Sequence, residues 1–425
     1  MHFNQTKLNN GLRIVTVPMA DNPAVTVLVM VETGSKYESK EINGLSHFLE
    51  HMVFKGTPKR PTSMDISKEL ESLGAHYNAF TSQEFTGYYA KVSKQHTDTA
   101  LDVVSDIYLN PLLDSKEIEK EKGVIVEEIR MYKDTPHRQI HNLYMALVYG
   151  DQPAGWKITG TEDTVKSFKR DDFLKYRTEH YVAERTIVVV SGAIDEKEIV
   201  EKIETAFKDI PNTKSLDKIK VDDTQDKPRL LLQYKETDQA HLILGVRTFD
   251  SKSKYDETLS VLATLLGGGM SSRLFHKLRD EMGVGYYIHA SHDSYTDHGL
   301  FNISAGVDTK RIEEVVGVLI DECKKIINED ITDAESKKVK DYISGSFVLS
   351  LETSDSRAEY VAANLIMKGK IESPDEQISK INSVTVNDIK ELAKKIFVDE
   401  KLNLAIIGPY KDEDRAKFEK LLTFK

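Results

Sequence analysis

The sequence predicts an α+β protein of two homologous domains, each a mostly antiparallel sheet with helices packed on it. Three observations lead there. An apolar run at 24–31 returns in kind at 240–246. Each run is followed by a helical stretch and then a pair of hairpin-like strands. Each half closes on a helix and an apolar strand running into glycine.

In order, the run AVTVLVMV at 24–31 reads as a buried strand, followed by a helix over 64–73 and a strand pair within 75–92. A helix over 171–181 and a strand over 186–192 close the first half. The second half repeats this with a strand at 240–246, a helix over 259–266, a strand pair within 286–307, a helix over 386–397 and a strand over 402–408. Between the halves, 211–228 is polar, rich in Lys and Asp and without apolar period, a linker composition. The domains are therefore set at 1–212 and 229–425, with 213–228 as linker. Hairpin-like pairs outnumber strand–helix–strand crossovers, which favours antiparallel sheets.

Composition narrows the function. A chain of 425 residues, 40% hydrophobic and 30% charged, is too long for one ordinary core and is neither disordered nor fibrous. Its longest apolar runs fall far short of the roughly 20 residues that span a bilayer, and the opening residues MHFNQTK lack the basic region and apolar run of a secretory signal. With a single cysteine, Cys323, no internal disulfide forms, and the residue reads as a quiet helix cysteine. If the chain is complete, the cytoplasm is the expected compartment. A net charge of −11 argues against nucleic-acid binding, and no membrane partner is expected.

The candidate chemistry lies at 43–54, which reads as a buried helix, apolar almost all round. His47 and His51, four apart, share one face and suit a common metal ion. Glu50 falls on that face too, about 60° from His47 on the side away from His51. A catalytic zinc takes a third protein ligand. The helix over 116–132 offers Glu127 and Glu128, and its apolar face is set by Ile118, Ile125, Ile129 and Tyr132. Glu128 and Glu121 lie within about 60° of Ile125, whereas Glu127 points away. Carboxylates on a core-facing stripe are costly unless compensated, and a divalent cation compensates them. Glu128 is thus assigned as third ligand, Glu121 as the carboxylate orienting a ligating imidazole, and Glu50 as general base towards water activated by zinc.

The segment HFLEHMVFKGT at 47–57 resembles the inverted His-x-x-Glu-His zinc motif of the pitrilysin–insulysin metallopeptidases, most closely the branch of mitochondrial processing peptidase and its bacterial relatives. In that family the third ligand is a glutamate 76 or 77 residues beyond the second histidine, the place of Glu128, with an assisting glutamate seven earlier, the place of Glu121. GAHYNAFTS at 74–82 is similar to the family's substrate-binding strand, which implies Asn78, Ala79, Phe80 and Thr81 as substrate-binding. Gly160 and Thr161 match as well. LRDEMGVGY at 278–286 resembles the family's Arg–Tyr pair, implying catalytic roles for Arg279 and Tyr286. One departure is GDQPAG at 150–155, where relatives usually place His and Leu around the proline.

The resemblance implies one zinc ion per chain, peptide substrates, and a clamshell of four similar domains. This chain supplies two of them, so a homodimer is expected, with the zinc domain of one chain facing the Arg279–Tyr286 domain of the other. The resulting expectation is a zinc metalloendopeptidase. Its rival is a catalytically silent assembly subunit of the same fold, which has no use for His47, Glu50, His51 and Glu128. Among weaker signals, His137 and His141 read as a polar helix face, the glycines at 267–269 as a loop, and His289, His292 and His298 as surface residues.

Overall fold

Strands β1 (Asn4–Lys7), β2 (Arg13–Pro18), β3 (Ala24–Val31), β4 (His76–Thr81), β5 (Thr86–Ser93) and β6 (Thr186–Gly192) form one sheet in the order β1-β2-β6-β3-β5-β4. Strands β7 (Arg229–Tyr234), β8 (Gln239–Thr248), β9 (Gly285–Ser294), β10 (Gly299–Asp308) and β11 (Leu402–Gly408) form the second, in the order β7-β11-β8-β10-β9. In each sheet one neighbouring pair is parallel, β2 with β6 and β7 with β11, and every other pair is antiparallel. The fold is α+β with two like halves, as the repeat predicts. This computed structural model describes residues 1–425.

Strand alternation sorts the core. On β3, Val25, Val27, Val29 and Val31 face one side, where they pack with Phe48, Leu49, Val104 and Ile125. Leu28 and Met30 face the other, against Val361, Ala362 and Leu365 of the Ser354–Met367 helix. On β8, Ala240, Leu242, Leu244 and Val246 join Leu259, Leu262 and Leu266. Ile243 turns to the opposite face, against Ile140, Tyr144 and Val148 of the Pro136–Tyr149 helix.

These two covering helices come from opposite halves of the sequence. One unit comprises Met1–Arg130, Trp156–Ile219 and Val348–Ser373; the other comprises Met131–Gly155, Lys220–Phe347 and Pro374–Lys425. The main crossing, between Ile219 and Lys220, falls inside the expected linker. Each half of the chain also lends one helix to the sheet of the other half, which the strand pattern alone does not announce. A sheet buried on one face only leaves its alternate apolar residues exposed, and the lent helix covers them. No helix is long and apolar enough to cross a membrane.

Some local expectations change. His298 is 1% exposed, not a surface residue: its ring stacks on Tyr295 and meets Tyr149 edge-on, and its Nδ1 lies 2.9 Å from Asp297. His289 is exposed and His292 half-buried. Cys323 is buried, and burial pushes its thiol far above the usual range.

Candidate metal centre

The Leu45–Met52 helix begins at Gly44, whose φ of 99° lies in the left-handed region. A Cβ there would stand 2.7 Å from the Thr159 carbonyl oxygen and 2.9 Å from Gly160 Cα, so only glycine fits. Gly160, with φ of 70°, packs against Asn43 and Gly44 in return, and Thr161 caps the Glu162–Ser167 helix. Leu45, Phe48, Leu49 and Met52 are fully buried. Four apolar anchors on eight residues fix the rotation of the helix and hence the direction of its polar residues.

The second contributor is the Ser115–Asp134 helix, anchored by Ile118, Ile125, Val126 and Ile129. Glu121 is buried, the Glu128 side chain is 22% exposed, and Glu127 is exposed and paired with Arg130. Glu128 Oε2 stands 3.6 Å from both His47 Nε2 and His51 Nε2. One donor atom from each of the three residues lies within 4.8 Å of the others. Spacings of 3.6 Å exceed a hydrogen bond, yet they approach the roughly 3.3 Å that separates donors held about 2.0 Å from a tetrahedral ion. Two imidazoles and a carboxylate are also the donor chemistry that zinc takes, so the residues present fit the ion.

Around this triad, His51 Nδ1 lies 2.9 Å from Glu121 Oε1, and Glu121 Oε2 is 2.5 Å from Lys55 Nζ. Burial pushes the Glu121 carboxyl up, but His51 and Lys55 outweigh it and hold it below the usual range. At Glu128 burial again raises, and the two histidines again pull the net shift down. Glu50 is half-buried with Oε2 lacking a hydrogen-bond partner, as does His47 Nδ1. A buried acceptor left unpaired is costly.

The chain matches two family models: the insulinase family, peptidase family M16, over residues 13–162, and the peptidase M16 inactive domain over 167–343. It is 36% identical to the uncharacterized zinc protease YmxG of Bacillus subtilis, over 94% of this chain and 97% of that one. The chain belongs to the insulinase family, M16. An uncharacterized zinc protease of Streptomyces coelicolor is 32% identical over 97% of this chain and 91% of its own. Among solved structures, a protease from Helicobacter pylori superposes with a TM-score of 0.87 at 25% identity, covering 96% of this chain and 99% of that one. A peptidase M16 inactive domain from Pseudomonas fluorescens shares the fold, with a TM-score of 0.88 at 16% identity over 97% and 99%.

For this M16 chain the structure brings His47, His51, Glu121 and Glu128 together on two helices of one unit, with Glu50 on the helix of the histidines. Asn78, Ala79, Phe80 and Thr81 lie on β4, the outermost strand of the same unit's sheet. The Ala79 N–H donates to Asn78 Oδ1 at 2.9 Å. Arg279 and Tyr286 belong to the other unit. There Arg279 Nη1 donates to the Gly285 carbonyl at 2.7 Å, and Tyr286 is 58% exposed on β9. Sequence reading missed Lys55, although its place four residues after His51, one helical turn on, was a usable signal. It also missed Glu38, a buried loop carboxylate with no periodic signal.

Proposed function

We propose that this M16 protein is a zinc endopeptidase that cleaves extended peptides, with His47, His51 and Glu128 holding one ion per chain and Glu50 as general base. The observation that carries the reading is the convergence of three metal donors from two helices, beside a carboxylate with an unpaired oxygen. Bound there, zinc supplies Lewis acidity and makes water acidic enough to attack at neutral pH. Glu50 accepts the proton of the attacking water and delivers it to the leaving amine. Glu121 accepts from His51 Nδ1–H, which leaves Nε2 as the free donor, and Lys55 keeps Glu121 ionised.

The substrate is proposed to add to β4 as a further strand, since an outermost strand has free main-chain groups on one side. Asn78, Ala79, Phe80 and Thr81 then pair with its backbone, with the Asn78 side chain giving up the Ala79 N–H. Arg279 and Tyr286 are proposed to act on the developing carbonyl charge from the second chain of a homodimer. The silent-subunit alternative leaves the unpaired Glu50 without a use.

The test is zinc content together with cleavage of a quenched extended peptide, expected to vanish on chelation and return with zinc. Mixing Glu50→Gln chains with Arg279→Ala chains is expected to restore activity. A metal-free chain that cleaves normally contradicts the reading, and a fully active monomer in sedimentation contradicts its dimeric part.

A further inference from the structure

The helix that carries both histidines has no side-chain cap of its own, because Gly44 occupies the capping position. Its first N–H groups are met from outside. Glu38, 2% exposed, accepts from the Gly44 N–H at 2.8 Å, the Ser46 N–H at 2.7 Å and Asn43 Nδ2 at 3.1 Å. These bonds and the helix dipole favour a carboxylate facing a helix N-terminus, although burial outweighs them and pushes the Glu38 carboxyl up. Ser46 is the residue before His47, so the bond sets the turn from which the first ligand projects.

Two residues before Glu38, the same segment is tied to the end of the edge strand. Gly34 passes so close to the Ser82–Gln83 backbone that a Cβ would stand 2.2 Å from the Ser82 oxygen. The Ser35 and Lys36 N–H groups donate to the Ser82 and Gln83 carbonyls at 3.2 and 2.9 Å. Lys36, fully buried, pairs with buried Glu84 at 2.9 Å, and Lys218 reaches the same carboxylate at 2.6 Å. The Tyr176 hydroxyl joins both ends, 2.7 Å from Ser46 Oγ and 3.0 Å from Thr33 Oγ1. These bonds hold the segment at both ends, at Ser46 and at the turn after β4.

We infer that the segment from Gly34 to Glu38 is a brace between the metal helix and the substrate strand, with Glu38 a positioning residue for the ligands and Lys36 for the end of β4. This rests on the peptidase reading above. Neither residue touches the reacting atoms. Each sets a distance on which the reaction depends, and a misplacement of about 1 Å costs on the order of a hundred-fold in rate.

The experiment compares Glu38→Gln, Lys36→Met and a control, Ile203→Val, whose buried side chain lies on the Glu196–Ala206 helix away from the brace. Glutamine keeps the size but turns an amine towards backbone donors. Glu38→Gln is expected to weaken zinc affinity about ten- to a hundred-fold in chelator competition, and to lower kcat of the zinc-saturated enzyme with KM nearly unchanged. Lys36→Met is expected to raise KM for an extended peptide several-fold, with zinc affinity unchanged. The control shifts the melting temperature alone. If Glu38→Gln does not fold, Glu38→Asp, with its charge one methylene short, takes its place. A Glu38 variant matching the control in zinc affinity and kcat overturns the inference, as does a Lys36→Met enzyme with the control's KM. Wild-type protein that takes up no zinc removes the peptidase reading itself, which is a separate result.

Discussion

The two sheets share a strand order, but only one unit carries the His47, His51 and Glu128 cluster. Strands β2, β6, β3, β5 and β4 follow one another across the first sheet as β7, β11, β8, β10 and β9 do across the second, with the parallel pair in the same place. After β3 comes Leu45–Met52 with His47, Glu50 and His51; after β8 comes Asp256–Gly267, which has no charged residue beyond its first turn and no histidine. The second sheet's core is built in the same alternating way as the first. Sheet order and core patterning therefore do not make the site. The donors of the cluster stand on one short helix and on one glutamate face of the Ser115–Asp134 helix, with the Gly34–Glu38 loop bonded both to the short helix and to the turn after β4.

The sharpest way to break that contrast is at the glutamate face. Glu128→Gln is expected to weaken zinc affinity by more than the roughly hundred-fold typical of outer partners, and Glu127→Gln by less than about two-fold, since Glu127 is exposed and paired with Arg130. Equilibrium zinc competition reads both. The reverse order would mean that the helix is turned about its axis relative to this structure.

A smaller effect is expected at the strand. Ala79→Pro removes the N–H now held by Asn78 and should raise KM or lower turnover several-fold, with zinc content and circular dichroism unchanged. A folded variant that cleaves extended peptides at the wild-type rate would make β4 only a structural edge.

The smallest concerns stability. His180 ends the helix before β6, where the helix before β11 ends in Ile396. Burial, with help from Arg185, lowers the His180 pKa from 6.5 to about 4. The unfolded chain therefore binds a proton between those values that the folded chain does not. Stability contributed by this group is full above about pH 6.5 and is lost as pH falls towards 4, by at most about 3 kcal/mol. Denaturant titrations of His180→Phe are expected to show a shallower loss over that window. An unchanged slope would place the acid sensitivity elsewhere.

How far the sequence was legible follows from which signals are local. Unbroken apolar runs marked β3, β6, β8 and β11 because their residues are buried on both faces. The four-residue spacing of His47 and His51, and the angle of Glu128 and Glu121 from Ile125, are properties of a single helix and survive any tertiary arrangement. The exchange of helices was not legible: Tyr144 and Val148, or Val361 and Leu365, announce an apolar face but not which sheet it covers. Lys36 and Glu38 were hidden for a related reason. A charged residue in a loop reads as solvated until the fold shows what surrounds it.

The central claim, that the first unit carries the metal donors and the general base and the second carries neither, is tested most directly by turnover and zinc content in Glu50→Gln beside Glu257→Gln. Glu257 stands in the first turn of the helix after β8 and pairs with Lys380. The account predicts that Glu50→Gln keeps about one zinc per chain and loses roughly two to four orders of magnitude in kcat, whereas Glu257→Gln stays within about two-fold on both. A Glu50→Gln enzyme that retains its zinc and turns over at the wild-type rate would contradict it.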